Sequence, residues 1–232
     1  MREQGQERPT WQQLLEEGTR MLSAAGVPDA GTDAWYLLSE VFKIDRVHYY
    51  MEQNRPVHQE RFEEGYERYR ELLKLRASRI PLQQILGNQD FMGMTFCVDE
   101  NVLIPRQDTE TLVEAVLEAY PERDLSILDM CTGTGCIAIS LAVLGKYRSV
   151  TAADISREAL RVARKNARRL FLVQRGTVRS ASFQVSEEPW RLELKNWTIS
   201  DGHPGEIDER CLTLLAGNLF ENIASEEMFD VI

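Results

Sequence analysis

Apolar side chains recur every three or four positions along the first part of the chain, which is the spacing of one buried helical face. Thr10 and Gln13 predict a capping box before the first helix, and Asp45 is placed to cap the third. A longer fourth helix is predicted over residues 58–78. The pattern indicates a small helical bundle over residues 1–79, with its aromatic side chains in the core and its exposed faces left to meet any partner.

The helical spacing disappears between Arg79 and Pro105, where proline and glycine residues interrupt extended segments. Met92-Gly93 lies between two such segments and is typical of a hairpin turn. These features predict a linker with a β-hairpin over residues 80–105.

A helix is predicted after this linker, with Asp108 or Thr109 as its cap. Arg106, Thr109 and Glu110 also gather polar side chains just before the glycine-containing part of the chain. Two interpretations stay open for these three residues: a helix start with no further role, or a contribution to a functional site.

From residue 126 the pattern alternates between short apolar strands and helices. A buried strand, a glycine turn and an apolar helix are predicted over residues 126–141, and a second strand over residues 149–153 ends at Asp154. The helix over residues 156–170 has a basic outer face, which we interpret as solvated. The order predicts an α/β fold for residues 106–232. Further strands are predicted at residues 183–185, 190–194, 211–216 and 229–232.

The glycine turn carries the candidate chemistry. Gly133 and Gly135 permit a tight turn that presents free backbone N–H groups and the positive end of a helix to a ligand. Asp154 stands 25 residues after Asp129, and a carboxylate at that place can hold two ribose hydroxyls. Together these residues predict a site for a nucleotide-like cofactor. The simpler alternative is a strand-to-helix connection that binds nothing.

Composition narrows the classes of function. In 232 residues with 43% hydrophobic content there is enough apolar surface for a packed core, while a formal net charge of -10 disfavours a broad nucleic-acid surface. The four cysteines form no Cys-x-x-Cys pair and the three histidines are scattered, so no metal site is predicted. No apolar run is long enough for a membrane span, and the polar N-terminal residues do not resemble a signal peptide. We therefore expect a soluble cytoplasmic protein.

Taken together, the motifs resemble the HemK/PrmC family of S-adenosylmethionine-dependent methyltransferases. The Ile-Pro-Arg-x-x-Thr-Glu element discriminates best, because glycine loops occur in all such methyltransferases. Further shared positions are Phe91, Phe96, Ala159, Ala163 and Asn166, with residues 81–87, 103–110, 128–136, 153–156 and 229–232.

The resemblance implies a Rossmann-like class I methyltransferase domain preceded by a small N-terminal helical bundle that helps to recognise the substrate protein. It implies methyl transfer from S-adenosylmethionine, which becomes S-adenosylhomocysteine, to the glutamine side-chain amide in the Gly-Gly-Gln motif of bacterial peptide chain release factors. Asn218 stands where the family usually has Asp, which keeps a hydrogen-bonding carbonyl and removes the charge. The implied cofactor-binding residues are Cys131, Thr132, Gly133, Thr134, Gly135, Asp154, Ile155, Asn218 and Leu219.

The sequence departs from the family pattern in two places. The connection after Leu170 is longer than usual, so residues 183–203 are expected to be an insertion. The family's Asn-Pro-Pro-Tyr motif, which orients the substrate amide, is expected beyond Ile232, so no catalytic residue is assigned. These 232 residues are accordingly expected to bind the cofactor and to fail in methylation on their own.

Two other functions stay open. A methyltransferase acting on adenine amino groups in nucleic acid would share the fold and the terminal motif, although the acidic charge and the Ile-Pro-Arg-x-x-Thr-Glu element disfavour it. A non-catalytic module that binds release factors would keep the bundle and the glycine loop without cofactor binding. The oligomeric state, the preferred release factor and the continuation of the chain are left open by the sequence.

Overall fold

The computed structural model describes residues 8–173, 182–187, 190–195, 211–218, 223 and 228–231. In these ranges, helices that combine the length and the apolar character needed to cross a membrane are absent. The chain divides into two units, Met1–Leu86 and Gly87–Ile232.

The first unit is a bundle of helices whose predicted caps are present. The Thr10 hydroxyl accepts a hydrogen bond from the Gln13 N–H at 3.2 Å, and the Gln13 side chain accepts one from the Thr10 N–H at 2.8 Å. Asp45 accepts from the His48 N–H at 2.8 Å, which confirms it as a cap. The helices are α1 (Trp11–Ala24), α2 (Ala30–Phe42), α3 (Arg46–Glu52), α4 (Gln59–Ala77) and α5 (Leu82–Leu86).

Aromatic side chains fill the core of this bundle. Trp11 is 1% exposed, and its ring meets Phe42 edge-on at a centroid distance of 5.3 Å. Tyr69 is equally buried and donates a hydrogen bond to the carbonyl of Ala34 at 3.3 Å. By contrast, α3 leaves a row of large apolar side chains in solvent: Val47, Tyr50 and Met51.

The prediction that helical structure stops at Arg79 is wrong, because α5 follows it. Its first turn is closed by a hydrogen bond from the Ile85 N–H to the Pro81 carbonyl at 3.1 Å, and Leu82 packs into the bundle core. Proline favours a helix start because its φ is already helical. A helix of five residues is too short to show a hydrophobic period in the sequence, which explains the error.

The second unit alternates strands and helices, which confirms the predicted α/β, Rossmann-like class. Its hairpin turns at Met92 and Gly93, both with positive φ, as the sequence predicts. A π-helical turn, Leu141–Gly145, follows α7. The elements are β1 (Asn88–Phe91), β2 (Met94–Cys97), α6 (Gln107–Ala119), β3 (Ser126–Met130), α7 (Cys136–Ser140), β4 (Ser149–Asp154), α8 (Arg157–Val173), β5 (Ser182–Glu187), β6 (Trp190–Lys195) and β7 (Cys211–Ala216).

Strand β3 lies at the point where the order of the strands in the sheet reverses. The order is β3-β4-β7-β6-β5, with β3, β4 and β7 parallel. Ile127 in β3 pairs with Val150 of β4, and it also pairs in parallel with Val231, which therefore lies on its other side. In open α/β sheets ligands bind at the carboxyl ends of strands beside such a switch point. The fold thus directs attention to the residues that follow β3 and β4.

The predicted insertion, residues 183–203, contributes to the sheet. It contains β6 and most of β5, which pair antiparallel with each other, while β6 pairs antiparallel with β7. The two strands extend the sheet on the side away from β3. Residues 188–189 and 196–203 lie outside the described ranges.

Helix α6 starts earlier than predicted, so the assignment of Asp108 or Thr109 as its cap is wrong. Arg106 occupies the cap position with extended backbone, and its carbonyl accepts a hydrogen bond from the Thr109 N–H at 3.0 Å. Asp108 and Glu110 consequently lie in the first turn, where negative charge interacts favourably with the helix dipole.

Candidate cofactor site

The connection from β3 to α7 is a tight loop with three residues in the left-handed region. Gly133 and Gly135 have φ of 54° and 78°, values that glycine adopts without steric cost. Cys131 also has a positive φ, 63°, which is uncommon for a residue with a side chain, and its thiol is exposed. The predicted glycine turn is therefore present, with a strained non-glycine residue at its start.

Asp154, at the carboxyl end of β4, is bonded to this loop. One carboxylate oxygen accepts the Gly133 N–H at 2.9 Å, and the other accepts the Ser156 N–H at 2.9 Å. The Ser156 hydroxyl accepts the Ala159 N–H at 3.1 Å and so caps α8. Each carboxylate oxygen can accept more than one hydrogen bond, so Asp154 keeps acceptor capacity for a ligand hydroxyl.

The expectation that the loop presents free N–H groups is wrong at several positions, because protein acceptors already occupy them. Gly133 donates to Asp154, and Gly135 donates to the Thr132 carbonyl at 2.8 Å. Cys136 donates to the Thr134 hydroxyl at 3.3 Å, in the first turn of a helix only five residues long. A phosphate needs several N–H donors at one place. The bonded N–H groups therefore suit a neutral or cationic ligand better than an anion.

Asp129, the penultimate residue of β3, holds the loop from beneath. It is 8% exposed and accepts the Thr132 hydroxyl proton at 2.6 Å and the Ala138 N–H at 3.2 Å. Burial raises the pKa of its carboxyl to about 6; the Asp154 charge adds to the rise, while these two hydrogen bonds oppose it. Sequence reasoning used Asp129 only to measure a spacing and missed this role. Its only signal was an acidic residue at the end of an apolar strand.

The other expected cofactor residues differ in what they offer a ligand. Thr132 and Thr134 are buried and their hydroxyls bond within the protein. Ile155 is 69% exposed directly after Asp154, so its side chain is open to a ligand. The Gly217 N–H donates to the Asp154 carbonyl at 3.0 Å, which places the following residue, Asn218, beside the same strand end. Leu219 lies outside the described residues.

Of the three polar residues at the start of α6, Arg106, Thr109 and Glu110, the last contacts the hairpin through its side chain. Its carboxylate accepts the Met92 N–H at the hairpin turn, at 2.6 Å. Arg106 is exposed at the start of α6. Glu110 thus ties the hairpin to α6, while the role of Arg106 stays a prediction.

Two family models match the chain. The model described as PrmC N-terminal domain matches residues 13–87, and the model described as Methyltransferase domain matches residues 127–189. The first match covers the helical bundle, and the second includes β3, the glycine loop, β4 and α8.

Relatives named Release factor glutamine methyltransferase support both matches. The protein from Moorella thermoacetica is 40% identical over 178 residues, which cover 75% of this chain and 60% of that protein. The protein from Leptospira interrogans is 39% identical over 156 residues, covering 66% of this chain and 53% of that protein. This chain thus spans between a half and two thirds of the length of these relatives. The chain thus combines a PrmC N-terminal domain with a methyltransferase domain, which is the pair of domains that the resemblance to the HemK/PrmC family implies.

Proposed function

We propose that this protein binds S-adenosylmethionine at the carboxyl ends of β3 and β4 and methylates the glutamine amide of peptide chain release factors. The observation that carries the cofactor assignment is the bonding of Asp154. Its carboxylate fixes the loop through the Gly133 N–H and still has acceptor capacity for ribose hydroxyls. With Asp129 and Asp154 close by and the loop N–H groups occupied, the site favours a cationic sulfonium over a phosphate.

The residues of this chain would divide the binding of the cofactor between them. Asp154 would accept the ribose hydroxyls, the main chain of residues 131–135 would lie against the ribose and methionine parts, and Ile155 would border the adenine. Asn218 and Leu219 would complete the adenine side. The bound cofactor would supply an electrophilic methyl group, so this chain needs to position the acceptor and exclude water rather than form a covalent intermediate.

The pairing of Val231 with β3 supports a place for the acceptor amide. Val231 runs parallel to β3 and pairs with Ile127, three residues before the end of that strand. A segment continuing from Val231 in this direction would reach the edge where Gly133 lies. Residues on such a segment could accept the N–H groups of a substrate amide and orient its nitrogen, whose lone pair is delocalised and weakly nucleophilic.

The helical unit would contribute to recognition of the release factor, a cytoplasmic protein. The exposed face of α3, formed by Val47, Tyr50 and Met51, supports this part of the proposal, since these side chains are 67%, 58% and 73% exposed. Aromatic and Met side chains are enriched at protein interfaces. Replacing Tyr50 and Met51 by Ser should weaken release-factor binding measured by surface plasmon resonance and leave cofactor affinity unchanged. Unchanged release-factor binding would remove α3 from the proposed interface.

Calorimetric titration of the 232-residue protein with S-adenosylmethionine tests the cofactor assignment. We expect saturable binding, and competition by S-adenosylhomocysteine. Titration with NAD is the matched control. NAD also presents ribose hydroxyls to the Asp154 carboxylate, but it carries phosphates that the occupied N–H groups cannot hold. Binding of NAD in place of the sulfonium compound by a folded sample would refute the assignment. The acceptor is tested with a longer protein that carries an Asn-Pro-Pro-Tyr motif after residue 232: transfer of labelled methyl to a release factor should be lost when the Gly-Gly-Gln glutamine is changed to alanine. The 232 residues alone are expected to bind the cofactor without transferring methyl.

A further inference from the structure

The side chain of Asn166 in α8 joins two distant segments of the second unit. It is 0% exposed, and its carbonyl oxygen accepts the Cys97 N–H at 2.6 Å. Its amide nitrogen donates to the Cys97 carbonyl at 3.0 Å and to the Thr134 carbonyl at 3.0 Å. Both donor protons and the acceptor of this buried amide are therefore used.

The two partners of Asn166 belong to different elements. Cys97 ends β2 and lies 69 residues away in sequence, whereas Thr134 lies 32 residues away between the two glycines of the loop. The carbonyl of Thr134 accepts from Asn166 and its hydroxyl accepts the Cys136 N–H, so both oxygen atoms of this residue are held. A change at Asn166 would thus release the middle of the loop.

Helix α8 also contacts the loop by packing, one turn before Asn166. A Cβ placed on Gly135 would lie 3.2 Å from the Cβ of Ala163, so the helix and the loop are in close contact there. Residues three apart share one helical face. Two adjacent loop residues are therefore held by α8: Gly135 by packing against Ala163, and Thr134 by the hydrogen bond from Asn166.

The same helix fixes the segment that leads from β2 towards Arg106. Val98 and Val102 form a buried cluster with Ala159 and Val162 of α8. Asn166 binds the residue directly before this segment, at Cys97. One helix thus positions both the cofactor loop and the chain that enters the Ile-Pro-Arg-x-x-Thr-Glu element.

We infer that Asn166 is a positioning residue that sets the geometry of the cofactor loop by linking Thr134 to Cys97. The inference rests on the proposed cofactor function, and it concerns a residue that is fully buried and has no access to the ligand. Replacement by aspartate keeps the acceptor for the Cys97 N–H, removes both donations and brings a negative charge towards two carbonyl oxygens. The loop is then displaced, and its affinity for the cofactor falls.

The test compares three proteins by calorimetric titration with S-adenosylmethionine at a temperature where each is folded by circular dichroism. Asn166→Asp should bind about tenfold more weakly than wild type, the loss expected for one or two buried hydrogen bonds. Leu170→Ala is the matched control, since Leu170 is buried one turn later on α8 and packs into the core. It should lower the melting temperature and leave the affinity unchanged.

The outcomes separate this inference from the proposed function. Absence of binding by folded wild type contradicts the cofactor assignment itself. Binding by wild type with equal affinity in Asn166→Asp overturns only the positioning role, as does an equal loss of affinity in Leu170→Ala.

A second measurement on wild type avoids dependence on the folding of the variant. In nitrogen-15 spectra, titration with S-adenosylmethionine should shift the side-chain NH₂ resonances of Asn166 together with the Cys97 amide, because both report on the loop through Thr134. If binding shifted the loop amides and left these two groups unchanged, Asn166 would be only a core residue.

Discussion

The Asp154 carboxylate accepts a hydrogen bond from the Gly133 N–H at 2.9 Å, which joins the end of one parallel strand to the loop that follows its neighbour. The contact gives the loop a defined position before any ligand binds. It also orients the carboxylate, since Ser156 holds its second oxygen at the same distance. One acidic side chain therefore serves both the fold of the loop and the proposed recognition of ribose.

Replacing Asp154 by alanine should reduce the affinity for S-adenosylmethionine by about tenfold to a hundredfold, because hydrogen bonds to a charged group contribute roughly 1.5–3 kcal/mol. Calorimetric titration measures the change. Glu158→Ala removes the same charge from the first turn of α8, where Glu158 pairs with exposed Arg161, and should bind as wild type does. Equal affinities for Asp154→Ala and wild type would contradict the proposed site.

The Asp129 carboxyl should make stability depend on pH. Its pKa is about 6 in the folded protein and near 3.8 when unfolded, so the folded state binds more protons between these values. The unfolding free energy therefore falls as pH rises from 4 to 6, by up to about 3 kcal/mol for this group. Asp129→Asn keeps an acceptor for Thr132 and Ala138 without the buried charge. It should match wild type at pH 4 and be more stable at pH 8 in urea unfolding.

The control for this pH effect is Asp124→Asn. Asp124 is 83% exposed in its pair with Arg148, so its removal should change stability little at either pH. A stability difference between Asp129→Asn and wild type that does not vary between pH 4 and pH 8 would contradict the raised pKa.

The two loop glycines should respond differently to alanine. At Gly135 a Cβ would meet Ile139 at 3.0 Å and Ala163 at 3.2 Å in addition to the positive φ, so Gly135→Ala should lower stability by more than the roughly 1–2 kcal/mol of backbone strain. At Gly133 no atom lies within 4 Å of an added Cβ, which would occupy the open side of the loop. Compared with Gly135→Ala, the Gly133→Ala variant should lose less stability, and its affinity for the cofactor should fall further. Thermal unfolding and titration together would show whether the order is reversed.

Gly65 in α4 tests which of two effects prevails in the bundle. Helix propensity favours alanine by about 1 kcal/mol. An added Cβ, however, would lie 2.3 Å from the ring of Phe42, which is itself packed against Trp11 and Tyr69. Overpacking of this kind destabilises by about 1–3 kcal/mol, so Gly65→Ala should lower the unfolding midpoint.

Gly31→Ala in α2 provides the comparison for the bundle. There a Cβ would have its nearest neighbour at 3.8 Å, in Thr19, which is ordinary contact, so helix propensity alone should act and the variant should be as stable as wild type or slightly more. If Gly65→Ala raised the unfolding midpoint as much as Gly31→Ala does, the Phe42 ring would have moved aside without an energetic cost, and the predicted overpacking would be wrong.

The sequence alone determined the features that a few neighbouring residues encode. The capping box at Thr10, the hairpin turn at Met92-Gly93 and the strand ending at Asp154 were all predictable, because turn chemistry and hydrophobic spacing act over short distances. The resemblance to methyltransferases rested on the same local motifs. Where a local signal was too short or ambiguous, as for α5 and the start of α6, the prediction failed.

Only the tertiary structure decided how those motifs are bonded to one another. The Gly133 N–H expected to be free is held by Asp154, 21 residues later, and the Thr134 carbonyl is held by Asn166, 32 residues later. The raised pKa of Asp129 likewise follows from burial under the loop. Hydrogen-bond partners and desolvation depend on which distant segments meet in space, and hydrophobic spacing carries no information about that.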